Sequence, residues 1–230
     1  MIQAVIFDLD GVIIDSEQAW DEARRAVVAQ CGGRWSDDAT AAMQGMSSRE
    51  WSSYMHGTLG VDLPAGRITG LVVERLLAYY QRGLPLLPGA VDAVRRTGQR
   101  WPLGLASSAN RVVIDAVLGT AGLRDAFTVV VSSEEVPRGK PAPDVYTEAS
   151  RRIGQAAVNC AAIEDSTNGI RSALAAGLRV VAVPNRSYPP DGAVLAQAAI
   201  VVDNLDQVTP EVLLELGGPG VGGRAARRPR

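Results

Sequence analysis

The sequence predicts an α/β fold, a doubly wound parallel sheet interrupted by a small all-helical domain. Three observations carry that expectation. A short apolar strand, Val5-Ile6-Phe7, stands almost at the N-terminus. Residues 16–82 then show helical periodicity with no strand pattern. From Pro88 onward, apolar runs of strand length alternate with helical segments, the rhythm of parallel strands joined by crossover helices. A strand that resumes only after a helical block implies a sheet domain made of two separated stretches, 1–15 and 83–216, with a helical insertion at 16–82.

Taken in order, Val5-Ile6-Phe7 is continuously apolar and reads as a strand buried on both faces. Ser16 can cap a first helix carrying Trp20, Ala23, Ala26, Val27 and Val28, which ends near Gly32-Gly33. Ser36-Asp37-Asp38 opens a second helix and Ser47-Ser48 a third. Pro64 stands near the start of a fourth, through Leu71, Leu76 and Tyr80. Further strands are expected at 103–107, 129–132, 160–163, 180–183 and 200–202, with helices near 89–97, 111–121, 144–154 and 168–176. The two crossings, near Asp15-Ser16 and Gln81-Arg82-Gly83, are hinge positions. Residues 217–230 are Gly-rich and basic, cannot build a core, and are expected as a disordered basic tail.

Composition narrows the function. A chain of 230 residues can bury one large core, or a core plus a small second domain. Its 47% hydrophobic and 21% charged residues are those of an ordinary soluble globular protein. Net charge is −2, and no basic face rich in aromatics appears, so no nucleic acid is expected as a partner. Cys31 and Cys160 are too few and too far apart for a disulfide framework or a zinc site, and read as two buried thiols. The N-terminus lacks a basic leader and no apolar stretch approaches ~20 residues. A cytoplasmic protein with no membrane contact is expected.

Polar residues gather at strand ends. In Asp8-Leu9-Asp10-Gly11-Val12, Asp8 stands at the carboxyl end of the first strand, where the loops of an open parallel sheet diverge and ligand crevices form. A carboxylate buried there needs a metal, a positive partner or a strong hydrogen-bond shell, and Gly11 allows a sharp turn close to a ligand. Two aspartates in a surface turn are the plain alternative. An EF-hand loop does not fit, because Ala19 stands where its bidentate Glu belongs. A second cluster, Ser107-Ser108-Ala109-Asn110, sets hydroxyls and free N–H groups before a helix, suited either to phosphate oxygens or to capping by Ser108 or Asn110. In the third, Pro141 and Pro143 stiffen the loop carrying Lys140, which can neutralise a carboxylate and a phosphate or stand as solvated surface. The fourth, Glu164-Asp165-Ser166, would repel Asp8 unless a divalent cation sat between them, and magnesium suits such oxygen ligands. Alone, Asp165 or Ser166 reads as a helix cap. The joint order of acid pair, hydroxyl, lysine and acid pair points to phosphoryl transfer.

These four segments resemble the motifs of the haloacid dehalogenase superfamily over residues 2–183, with the helical insertion in the place of that family's small cap. The resemblance implies a Rossmann-like core with the strand of Asp8 between those of Ser107 and Glu164. It implies Asp8 as the nucleophile that forms an aspartyl-phosphate, and Asp10 as the acid that protonates the leaving oxygen and then the base that activates water. Magnesium would be held by Asp8, the Asp10 backbone carbonyl and Asp165, with Glu164 as a direct or outer ligand. Ser107 and Lys140 would bind the transferring phosphoryl oxygens.

Asp8-Leu9-Asp10-Gly11-Val12 with Glu164-Asp165-Ser166 is similar to the branch of beta-phosphoglucomutases and sugar-phosphate phosphatases. In related proteins the turn matching 43–49 faces the phosphate pocket. Gln44, Gly45 and Arg49 therefore join Gly11, Trp20, Ser108 and Asn110 as candidate substrate-binding residues, with Arg49 available to hold a second anionic group or to stand as an exposed helix residue. His56 reads as an incidental helix residue. The mutase carries a histidine where this chain has Trp20, which favours a phosphatase acting on a small sugar or polyol phosphate; a monomer is expected. A mutase is the alternative, and a phosphate-binding module without turnover is a third reading. A dehalogenase is disfavoured, because dehalogenases keep no acid at the position of Asp10.

Overall fold

Strand side chains alternate between faces, and in this sheet both sets are apolar. The computed structural model describes residues 1–43 and 45–216, so Gln44 and the tail at 217–230 lie outside the described residues. The chain enters at β1 (Ala4–Phe7) and then builds four helices: α1 (Glu17–Gln30), α2 (Ala39–Met43), α3 (Ser48–Gly57) and α4 (Ala65–Arg82). Alternation follows, through α5 (Ala90–Gly98), β2 (Leu103–Ser107), α6 (Arg111–Thr120), β3 (Val129–Ser132), α7 (Asp144–Ile153) and β4 (Cys160–Glu164). The last part is α8 (Thr167–Ala175), β5 (Arg179–Ala182), α9 (Gly192–Leu195), β6 (Ile200–Val201) and α10 (Pro210–Glu215).

All strand pairs are parallel, in the order β3-β2-β1-β4-β5-β6. The order reverses at β1, so the chain ends of β1, β2 and β4 border one crevice. Phe7 pairs with Leu105 on one side and Ile163 on the other, and the Asp8 N–H continues the ladder to the Ile163 carbonyl at 3.0 Å. Asp8 is thereby fixed by backbone, with its side chain at the strand mouth.

Val5, Phe7, Leu103, Leu105 and Ile163 join one apolar cluster with α5 and α6, while Ala4, Ile6, Ala106 and Ala162 join another with α7 and α8. The first cluster runs on without a break into Trp20, Met55, Ile68 and Leu76 of the helical insertion. Within the insertion, α4 packs on α1 and α3, and it also reaches α6. The cap therefore sits on the same side as α5 and α6 and roofs the strand ends. Among the described residues, no helix is long and apolar enough to cross a membrane.

Short elements are where the structure departs from the sequence expectation. α9, α10 and the 3₁₀ turns Arg124–Ala126, Ser133–Glu135, Ala157–Asn159 and Leu205–Gln207 were not expected. Segments of three to six residues are too brief to show a helical period, and local side-chain caps hold four of them, α9, α10, Ser133–Glu135 and Leu205–Gln207. Thr209 accepts from Val212 N–H and Pro210 opens α10. The fifth strand spans Arg179–Ala182 rather than 180–183. Ser16 precedes α1 as expected but makes no capping bond, because its hydroxyl is drawn to Asp10. Both cysteines are free, Cys160 buried and Cys31 half-buried.

Candidate active site

Two strand ends and one loop converge on one buried ion cluster. Asp8 follows β1, Glu164 ends β4, Asp165 follows it, and Lys140 comes in from the loop before α7. Lys140 Nζ lies 2.9 Å from Asp8 Oδ1 and 2.7 Å from Glu164 Oε1. All three side chains are buried, Glu164 completely. The Glu164 carboxylate is further saturated: Oε1 accepts from Tyr146 OH at 2.9 Å, and Oε2 accepts from the N–H groups of Asp165 and Ser166 at 2.9 and 3.1 Å.

Close packing of backbone explains two glycines here. A Cβ on Gly11, at φ +76°, would stand 1.9 Å from Asp165 Oδ2. A Cβ on Gly169 would stand 1.7 Å from Glu164 Oε1. Any side chain at either place would displace an acid of the cluster.

The electrostatics are those of a site built around a cation. Ligand oxygens of Asp8, Glu164 and Asp165 lie within 4.8 Å of one another. Asp165 Oδ1 is buried with no hydrogen-bond partner. Burial foremost, opposed by Lys140 but reinforced by Glu164 and Asp10, pushes the Asp8 carboxyl up to about 8. Burial together with Glu164 and Asp8 raises Asp165 well above the carboxylate range. Burial alone would depress the Lys140 ammonium, but Asp8 and Glu164 outweigh it and hold it above the usual lysine value. A divalent cation among these oxygens would reverse the sign of the field on Asp8 and Asp165. The donor set, carboxylates with no sulfur or imidazole, fits a hard oxygen-seeking ion.

Asp10 stands beside this cluster, held from the cap. Its Oδ1 accepts from Ser16 Oγ at 2.5 Å and from Trp20 Nε1 at 3.0 Å, and Oδ2 accepts from Ser107 Oγ at 3.4 Å. Ser107 Oγ itself accepts from the Ala109 N–H at 3.0 Å. Indole is a donor only, so Trp20 orients Asp10 and exchanges no proton with it.

A narrow cleft of about 50 Å³ opens above these groups. Its floor is Asp8, Asp10, Lys140 and Asp165, with Ser108 and Ala109 at the side. Its roof is Glu17, Trp20, Arg24, Gly45, Met46 and Trp51. Trp20, Gly45 and Ser108 thus line the cleft, while Gly11 lies beneath Asp165. Asn110 does not line it. Its Oδ1 accepts from Ser48 Oγ of the cap at 2.5 Å and its Nδ2 donates to Glu134 at 2.6 Å, tying the cap to the core. Arg49 is exposed and lines a separate groove with Ser52, Gly66 and Glu134.

Glu17, Arg24, Trp51 and Tyr146 escaped the sequence reading. A signal existed for the first two: Glu17, Trp20 and Arg24 follow one another at i, i+3 and i+7, which sets them on one helix face. For Trp51 and Tyr146, ordinary core aromatics by pattern, the sequence offered none.

A doubly wound parallel sheet, roofed by a helical cap over a buried acid cluster at its strand ends, defines a capped Rossmann-like α/β protein. The chain belongs to the haloacid dehalogenase-like hydrolases, whose family model matches residues 2–177. Hexitol phosphatase B of Escherichia coli is 34% identical over 200 residues, covering 80% of this chain and 84% of that protein. Fructose-1-phosphate phosphatase YqaB of Escherichia coli is 29% identical over 179 residues, covering 78% of this chain and 95% of its own. The crystal structure of a beta-phosphoglucomutase from Clostridium difficile shares the fold with a TM-score of 0.80 at 24% identity, covering 94% of this chain and 97% of that one.

Proposed function

We propose that this chain is a magnesium-dependent phosphatase of the beta-phosphoglucomutase-like branch, hydrolysing a small sugar or polyol phosphate through an aspartyl-phosphate. It is a phosphoric monoester hydrolase, and the hexitol and fructose-1-phosphate phosphatases among its relatives support that substrate class. The observation that carries the reading is the ion cluster: Lys140 between Asp8 and Glu164, beside the unpartnered Asp165 Oδ1.

Asp8, Asp165 and the Asp10 backbone carbonyl would hold magnesium, with Glu164, already saturated by donors, as an outer organiser. The ion would neutralise phosphoryl charge and keep Asp8 ionised. Asp8 attacks phosphorus and breaks the ester bond, and Asp10 delivers a proton to the departing alkoxide. Asp10 then takes a proton from water, whose oxygen attacks the phosphoryl group and returns Asp8 as a carboxylate. Lys140 and Ser107 bind phosphoryl oxygens during both steps, which are in-line displacements helped mainly by position and charge. The cap excludes bulk water from the first step. Trp20, which donates to Asp10 and stands where the family resemblance sets the mutase histidine, supports hydrolysis over mutase chemistry because its indole is a donor only. We place the enzyme in the cytoplasm as a monomer acting on a small phosphorylated metabolite.

Phosphate release from sugar and polyol phosphates, with magnesium and with EDTA, tests this. Turnover should need the ion, and Asp8→Asn should lower kcat at least about 10³-fold, the order lost when a nucleophile is removed. Undiminished turnover by Asp8→Asn overturns the mechanism.

A further inference from the structure

The cation that the cap turns toward the cleft is Arg24, not Arg49. Arg24 is 6% exposed, lines the cleft above Asp8 and Asp10, and makes no ion pair among the described residues. Its guanidinium lies 5.0 Å from the ring centre of Trp20 and 5.3 Å from that of Trp51. Its Nε is buried without a hydrogen-bond partner. A buried guanidinium is ordinarily matched by a carboxylate. Here two indoles pack against the guanidinium, and Arg24 lines the cleft beside them.

The neighbourhood decides what the guanidinium donors take. Glu17 lines the same cleft from the same helix face, two turns before Arg24. Burial foremost, then Asp10 and other nearby acids, pushes its carboxyl up to about 7 against the attraction of Arg24, and no direct ion pair joins the two among the described residues. A second phosphate or carboxylate on the substrate would meet Arg24 but also stand against Glu17 and Asp10. A hydroxyl can accept from Arg24 and donate to Glu17, so the pair matches a neutral polyol in both senses.

We propose that Arg24 anchors the end of the substrate remote from phosphorus, and that with Glu17 it selects a phosphate monoester whose remote end is a neutral run of hydroxyls over one bearing a second anion. This rests on the phosphatase reading and narrows it. Arg24 acts as a binding and specificity residue, away from the reacting atoms.

Steady-state kinetics of the magnesium-loaded parent, Arg24→Met and Arg24→Lys test it on a hexitol monophosphate and a hexose bisphosphate, with inorganic phosphate as inhibitor. Arg24→Met should raise KM for the hexitol monophosphate about 10- to 100-fold, the worth of hydrogen bonds to a charged group. Its kcat and its inhibition by phosphate should stay within about threefold by the same argument, because neither involves the remote end. Arg24→Lys should recover part of the KM. An unchanged KM overturns the proposal. So does a parent that prefers the bisphosphate and loses that preference in Arg24→Met, since Arg24 would then hold a second anion.

Should Arg24→Met fail to fold, Glu17→Gln decides: it should raise kcat/KM for the bisphosphate relative to the monophosphate, and an unchanged ratio overturns the proposal. If the parent releases phosphate from no ester, the phosphatase reading fails by itself. Titration calorimetry of the hexitol monophosphate then decides the inference: binding at least about tenfold weaker in Arg24→Met supports it, and equal binding overturns it.

Discussion

Replacing Lys140 by Met removes one positive charge from the most buried ion cluster of the molecule while nearly keeping its volume. The ammonium stands 2.9 Å from Asp8 and 2.7 Å from Glu164. Each contact carries roughly 6 kcal/mol of attraction at an effective dielectric of about 20, most of it offset by the loss of hydration. Breaking a buried pair from one side costs about 3–5 kcal/mol, because the partner is left charged and dry. Asp8, pushed up to about 8 mainly by burial even with Lys140 in place, is already largely protonated at pH 7 without a bound ion, so little of the loss comes from that contact. Glu164, fully buried, keeps Tyr146 and two backbone donors. The loss should therefore fall near the lower figure, about 3 kcal/mol.

The pH window follows from the sign of the shift. The folded-state pKa of Lys140 is raised, so its contribution is whole below the unfolded value of ~10.4 and is lost as pH rises through the folded value. Urea unfolding at pH 7 in EDTA therefore reads the full effect, through the free energy extrapolated to water. Destabilisation below about 1 kcal/mol would show that the cluster is solvated in solution, and the electrostatic argument for the site would fail.

Two further substitutions probe the same geometry from other sides. Trp20→Phe removes the 3.0 Å donation to Asp10 Oδ1 and keeps most of the ring; kcat should fall roughly tenfold, at the lower end for a hydrogen bond to a charged group, and an unaltered kcat would mean that Ser16 and Ser107 suffice to hold Asp10. Gly11→Ala brings a methyl to 1.9 Å from Asp165 Oδ2 at a φ of +76°, so the half-saturating magnesium concentration should rise at least about tenfold, as on loss of support to a metal ligand. Normal magnesium dependence in that variant would remove Asp165 from the metal site.

Legibility in the sequence followed the length of each signal. The strands announced themselves because their alternate residues all had to be apolar, as the two clusters on the opposite sheet faces require. The long helix α4 was legible from Pro64 and its period, whereas α10 rests on Thr209 and Pro210 alone. At the site, Asp8, Lys140, Glu164 and Asp165 stood out as polar residues where strands end. Arg24 did not, because a charged residue inside an amphipathic helix reads as surface until a second helix is seen to bury it. Arg49 was open between holding a second anion and standing as an exposed helix residue, and α3 turns it outward to another groove.

The order of apolar runs and the acids at their ends determined, without coordinates, a parallel sheet and an acid-rich chemistry at its edge. Local pattern suffices for this, because burial on both faces and the desolvation of carboxylates act at each residue separately. Which charges oppose which was decided only by the tertiary structure. Reversal of strand order at β1 brings residues 8, 140 and 164 within hydrogen-bond reach, and the docking of α1 against α4 and Trp51 turns Arg24 inward. Such pairings depend on distances between segments far apart in the chain, and no local period encodes them.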